Sequence, residues 1–352
     1  MTKVRWSKLS LIVLLVSILL VGCGTNSKNT ATPASDSKEA ENPTEEKLNY
    51  PEKNIDLIVP FNAGGGIDMV GRMIADLSPK YVGGTMVVIN RAGASGSIGT
   101  VEGAKAKPDG YTLTLTGGTN LVVHPHLKPM QYSLDDFKII SHVTYNPVLL
   151  VVKDSSPYNS INDIVEDVKK NNTSLKFGHS SVGGAVDMAN SAFSGAVGMN
   201  GIKVPFKSNG EVTAALLGGH IDITSLYTND VQEYVKDKKI KVLGVYLPER
   251  LDIYPDVPTI GEGLKEAGID FKYDNTDFSA GFFLTAPKDT PEEIAAHLSE
   301  SIKAALEDPE FIEKAKSMNL FIRNLGGNDA MQQLKDMETS YKSMIEEYDI
   351  KE

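Results

Sequence analysis

From residue 55 onward the chain switches repeatedly between two hydrophobic periods, and that switching limits the folds open to it. Short apolar or alternating runs at residues 55–60, 86–89, 111–116, 147–152, 221–224 and 240–245 have the length and β-branched content of strands. Between them lie helical stripes. Ile67, Val70, Ile74 and Leu77 share one face, as do Ile161, Ile164, Val165 and Val168 behind an N-capping Ser160. A helix over residues 212–217 is stopped by Gly218-Gly219. Thr290-Pro291-Glu292-Glu293 predicts an N-cap, a proline at the first helical position and a capping-box acid. Asp308-Pro309 predicts another start, and residues 328–348 a last long helix. Strands alternating with helices predict an α/β fold with mostly parallel sheets. At 352 residues the chain has the length of about two domains. Ligands of such sheets sit beyond the carboxyl ends of the strands.

Two of the strand-to-helix turns are alike. One reads Val59-Pro60-Phe61-Asn62-Ala63-Gly64-Gly65-Gly66-Ile67-Asp68-Met69, the other Gly178-His179-Ser180-Ser181-Val182-Gly183-Gly184-Ala185-Val186-Asp187-Met188. Each places a Gly pair and then Asp-Met at the mouth of a helix. Glycines let several backbone N–H groups aim at one point, and a helix N-terminus adds unpaired donors and about half a positive charge. Such a turn holds a carboxylate without a basic side chain. The bland reading of either turn alone is a tight connection with an aspartate cap. Two of them predict a cleft with an anion grip on each wall. Thr116-Gly117 and the following residues, and the turn from Arg91 to Gly99, are weaker candidates for the same cleft.

The N-terminus reads as an export signal. Lys3, Arg5 and Lys8 precede a thirteen-residue apolar run, residues 9–21, which is shorter than the ~20 residues a bilayer span needs. The run ends Leu20-Val21-Gly22-Cys23, and Cys23 is the chain's single cysteine. Small residues before a cysteine resemble a bacterial lipobox, which implies removal of residues 1–22 and a lipid on Cys23. Removal takes away three positive charges and no acid, so the net charge goes from −11 to −14. Residues 23–49 are rich in Ser, Thr, Asn, Pro, Glu and Lys and read as a flexible tether.

Other functions find little support. A net charge of −11 argues against a nucleic-acid binder. One cysteine excludes an intramolecular disulfide and a multi-cysteine metal site. Neither glycine turn has the P-loop lysine, the first lacks the last glycine of G-x-G-x-x-G, and no G-x-S-x-G elbow is present. His124-Pro125-His126 has no carboxylate or cysteine at matching spacing to complete a metal site. No cofactor and no metal are expected.

With these turns in place, the chain resembles the extracytoplasmic solute receptors of tripartite tricarboxylate transporters, the Bug or TctC family. The likeness runs from Tyr50-Pro51 through the Phe61–Asp68 turn, Asn90-Arg91-Ala92-Gly93-Ala94, Lys107-Pro108-Asp109-Gly110-Tyr111, Val204-Pro205-Phe206-Lys207, Leu217-Gly218-Gly219-His220-Ile221-Asp222, Pro255-Asp256-Val257-Pro258-Thr259 and Ala286-Pro287. The resemblance implies a two-lobed, type II-like periplasmic-binding-protein fold with its ligand cleft between the lobes. Residues 50–145 plus 281–352 would form one lobe and 146–280 the other, with crossings near 147–152 and 278–285. It implies capture of a small carboxylate for large and small membrane subunits, without catalysis, by a monomer held to the outer face of the cytoplasmic membrane through Cys23. Carried onto this chain, the ligand positions are Phe61, Ala63, Gly64, Gly65 and Asp68 in the first turn and Ser180, Ser181, Gly183, Gly184 and Asp187 in the second, with Thr116 and Gly117 beside them. The family's second turn usually carries a histidine a few residues on, where this chain has Asp187. Asp68 and Asp187 would suit an amine or hydroxyl, which favours a monocarboxylate, amino acid or hydroxy-acid over citrate. A sensory receptor and, more remotely, an extracytoplasmic hydrolase are the competing readings.

Overall fold

The computed structural model describes residues 48–351. In chain order the strands are β1 (Ile55–Val59), β2 (Met86–Asn90), β3 (Thr112–Gly117), β4 (Phe137–Tyr145), β5 (Val148–Lys153), β6 (Lys176–His179), β7 (Ile202–Pro205), β8 (Ile223–Tyr227), β9 (Ile240–Val245), β10 (Phe282–Pro287) and β11 (Phe321–Gly326). The helices are α1 (Gly66–Tyr81), α2 (Ser97–Ala104), α3 (Gly118–Val122), α4 (His124–Leu127), α5 (Ile161–Asn171), α6 (Ala185–Val197), α7 (Asn209–Gly218), α8 (Thr228–Lys236), α9 (Ile260–Glu266), α10 (Glu292–Leu306), α11 (Pro309–Ser317) and α12 (Gly327–Glu347).

The strands form two sheets, ordered β11-β4-β10-β3-β1-β2 and β7-β6-β8-β5-β9. The expectation of mostly parallel sheets does not hold. In the first sheet β1 is parallel to β2 and β3, but β10 runs antiparallel to β3 and β4, and β11 antiparallel to β4. In the second, β6 is parallel to β7 and β8, while β5 is antiparallel to β8 and β9. The reason is topological. Helical crossovers keep β1, β2 and β3 parallel, whereas β10 comes back from the second sheet and inserts between β3 and β4 in the opposite sense. The two passages between the sheets lie side by side: Asn146 and Ala280 exchange main-chain hydrogen bonds of 3.1 and 3.0 Å.

Burial explains why the strands read as they do. β5 is apolar at five consecutive positions because both faces are covered: Val148, Leu150 and Val152 enter one core and Leu149 and Val151 another. α1 turns Ile67, Val70, Met73, Ile74 and Leu77 onto the first sheet. It approaches closely because Gly71 faces Val59 and Leu115, where a Cβ would come within 3.1 Å of Val59 Cγ2. Ser160 and Asp163 form the reciprocal capping box at the start of α5. The start of α10 differs from expectation. Pro291 is its N-cap, and Thr290 donates its hydroxyl to the Pro287 carbonyl at 2.7 Å instead of capping the helix. α12 packs on β4, β11, α3 and α4 and also on α6, so it touches the first sheet and a helix that packs on the second. No described helix is long and apolar enough to cross a membrane. The export signal, Cys23 and nearly all of the tether lie outside the described residues.

Candidate functional site

The two glycine turns have one conformation. In the first, Gly64 is left-handed (φ +87°) and Gly65 is the extended N-cap of α1 (φ −76°, ψ 165°). In the second, Gly183 is left-handed (φ +69°) and Gly184 is the extended N-cap of α6 (φ −69°, ψ 160°). The left-handed positions need glycine, because a Cβ there clashes with the chain's own backbone. The N-cap glycines bring no side chain, so no hydroxyl or carboxylate caps the first-turn amides. Both helices thus offer bare donors at the positive end of their dipoles, over 16 and 13 residues.

The aspartates hold this shape from behind. Asp68 is buried and accepts the Gly64 N–H at 2.8 Å, Arg72 Nε and Nη2 at 3.0 Å each and Asn90 Nδ2 at 2.8 Å. Burial works to raise its carboxyl pKa, but the bonds from Arg72, Gly64 and Asn90 prevail and hold it below the usual range. Asp187 is equally buried and accepts the Gly183 N–H at 2.9 Å. Lys203 Nζ lies 2.9 Å from its other oxygen, close enough for an ion pair but without hydrogen-bond alignment. Both carboxylates therefore point into their own turns.

Around the first turn, Ala63, Gly64 and Gly65 are exposed and Phe61 is half-buried. The Phe61 ring packs on Gly96, where a Cβ would meet its Cζ at 2.8 Å. Asn120 Nδ2 donates to the Ser95 carbonyl at 2.7 Å and ties the turn after β2 to the segment after β3. Gly117 is half-buried at the start of α3. Thr116 is fully buried in β3 against the Thr100 hydroxyl (3.2 Å), so its side chain faces the interior.

The second turn meets the same segment from the other sheet. Gly183 packs against Val123 and Leu127, and a Cβ on it would collide with the Leu127 side chain. Residues 117–127 are therefore flanked by the second turn and by the Ser95-Gly96 turn on which Phe61 packs. Ser180 and Ser181 are half-buried, and Ser180 Oγ donates to Asn209 Oδ1 at 2.5 Å. Asn209 Nδ2 in turn donates to Asp230 Oδ2 at 3.0 Å. Sequence reasoning reached Asn90 only inside a family motif and Asn120 only at the end of a weaker candidate loop, and it passed over Asn209 and Asp230, because single asparagines and acids in loops carry no spacing signal. His126 pairs with Glu338 at 2.9 Å, and among the described residues no three His, Cys, Asp or Glu side chains gather as metal ligands.

Comparison with known proteins identifies the family and the fold. A family model for the tripartite tricarboxylate transporter family receptor matches residues 70–350. A UPF0065 protein encoded in the TAR-I ttuE-ttuC' intergenic region of Agrobacterium vitis is 36% identical over 275 residues, 76% of each chain. A TctC solute binding protein from Polaromonas superposes with a TM-score of 0.74 at 28% identity, over 84% of this chain and 99% of that one. MatC from Rhodopseudomonas palustris, solved with bound malate, shares the fold: TM-score 0.67 and 23% identity over 84% and 100% of the two chains.

Proposed function

From membership of the tripartite tricarboxylate transporter receptor family, to which this chain belongs, we propose that it captures a small carboxylate outside the cytoplasm and delivers it to a membrane importer. The two-lobed fold and the family are those of solute-binding receptors. The observation that carries the ligand class is the pair of matching turns, each presenting uncapped helix amides with its aspartate turned away. A carboxylate is the group such amides take up. Phe61, Ala63, Gly64 and Gly65 would form one wall, Ser180, Ser181, Gly183 and Gly184 the other, with Gly117 between them. Asp68 and Asp187 position the turns.

In this reading the lobes are residues 50–145 with 281–352, and 146–280. The paired Asn146–Ala280 passages would be the hinge on which they close. Lipid on Cys23 would keep the receptor beside its membrane subunits, and the monomer would be the working unit. The mechanism needs no bond-making step: closing the lobes removes water from the ligand, and the closed face is what the importer reads.

Native mass spectrometry of freshly purified protein, followed by a thermal-shift panel of carboxylic acids, tests the proposal. A true ligand at 100 times its Kd stabilises by about 2.7 kcal/mol. No retained molecule and a flat response to every acid would sink it. Loss of uptake on deleting the membrane-subunit genes separates import from sensing.

A further inference from the structure

The second wall contains a polar relay that starts at Ser180 of the proposed carboxylate wall and runs on to two residues outside it, Asn209 and Asp230. β6, β7 and β8 are parallel, so the residues just beyond their carboxyl ends lie on one edge. Those residues include Ser180 after β6, Asn209 after β7 and Asp230 after β8. The edge faces the other lobe, since the second turn packs on Val123 and Leu127. It also reaches the passages between the lobes, because Asn229 accepts a hydrogen bond from Asn146 Nδ2 at 2.7 Å.

The direction of the relay is set by its acid. Asp230 accepts, so Asn209 turns its NH2 toward Asp230 and its carbonyl oxygen toward Ser180. Ser180 has a single proton and gives it to Asn209. Its hydroxyl therefore has only lone pairs left for the cleft, which is the wrong polarity for a carboxylate and the right one for a donor. Asp230 is half-buried and takes part in none of the ion pairs among the described residues; burial outweighs the hydrogen bonds it receives from Asn209 and the Tyr227 main chain and holds its carboxyl above the usual range. Such a group gains from a donor or cation brought to it.

Building on the receptor reading above, we propose that Asp230 and the Ser180 hydroxyl select the ligand by accepting hydrogen bonds from an amino or hydroxyl group carried beside its carboxylate. The receptor then takes an amino- or hydroxy-acid in preference to the plain acid of the same length. Asp68 and Asp187 have no part in this selection, because both are buried almost completely and each already faces a cation, Arg72 and Lys203 respectively.

The test is calorimetric titration of the purified protein with matched sets: succinate, malate and aspartate, then glutarate, 2-hydroxyglutarate and glutamate. Wild type should bind at least one donor-bearing acid about tenfold or more tighter than its plain partner. Asp230→Asn is nearly isosteric and can turn its carbonyl to Asn209, presenting an NH2 to the cleft. It should lower affinity for the donor-bearing acid about tenfold and leave the plain acid equal or better. Ser180→Ala should weaken the same preference less. A purely structural role for Asp230 would weaken every acid alike, and that outcome overturns the assignment. Equal binding within each set also overturns it while leaving the receptor reading intact. No binding by any acid removes the carboxylate receptor reading and this inference together.

Discussion

Asp68 Oδ2 accepts the main-chain N–H of Gly64 at 2.8 Å, an acid closing a turn onto the helix that it begins. The same carboxylate also takes Arg72 and Asn90. Asp68→Ala leaves those donors without their buried acceptor, which costs about 1–3 kcal/mol in a urea titration. Affinity for the carboxylate should fall as well, because the turn loses the contact that aims its amides. Unchanged affinity in a folded Asp68→Ala protein would show that the turn does not touch ligand. The folded carboxyl sits below its ordinary 3.8. Its stabilisation is therefore complete above that value and is lost as pH falls through the lower folded one.

The two left-handed glycines should respond differently to the same change. Gly64 has open space around its Cα, and Gly183 faces Leu127 and Val123. Gly64→Ala pays only backbone strain, about 1–2 kcal/mol. Gly183→Ala adds a collision, so it should cost more and weaken ligand binding by holding the second turn off Leu127. Adding Leu127→Ala should recover part of the loss for Gly183→Ala and none for Gly64→Ala. A double-mutant cycle by urea denaturation checks this coupling, and additive effects in the Gly183 pair would contradict it.

The turns were legible because their signal is local: a strand, two glycines and an acid lie within ten residues. β5 was legible because burial on both faces leaves an unbroken apolar run. The antiparallel half of each sheet was not, since β10 owes its place to a return from the other sheet, which no local pattern records. Thr116 looked available from its position after an alternating strand, yet that alternation puts its side chain inside. The Ser180–Asn209–Asp230 relay joins residues 29 and 21 positions apart. Only the parallel pairing of β6, β7 and β8 brings their ends together.

The proposed lipid anchor is argued from residues 20–23 of the sequence alone and has a direct test. Cys23→Ser should leave the protein unlipidated, so that it no longer sediments with membranes after cell fractionation. Ligand binding by the purified variant should equal wild type, because the described body carries both turns. Continued membrane association of Cys23→Ser would rule the anchor out.

His142 supplies a prediction about acid. It is buried beside the passages between the sheets and stacks on Phe283 with ring centres 4.0 Å apart. Its Nδ1 lies 2.8 Å from Gln333 Oε1, and its Nε2 has no partner. Gly281 leaves room for the ring, since a Cβ there would meet Nε2 at 2.7 Å. Gln333 also donates to Asp277, which is paired with Arg323 at 2.7 Å. Burial lowers the imidazole from 6.5 to about 4, outweighing the help of Gln333 and Asp277. A base depressed on folding stabilises fully above its unfolded value and loses that contribution as pH falls toward the folded one. The window is therefore about pH 6.5 down to about 4. Across it wild type should lose stability faster than His142→Gln, by a slope difference approaching about 1.4 kcal/mol per pH unit. Urea midpoints measured at half-unit steps from pH 7.5 to 4.5 check this. Other carboxylates titrate at the low end in both proteins, so the difference between the two curves is the quantity read. Parallel curves would mean that His142 takes up its proton alike in the folded and unfolded protein, and that its burial does not depress it.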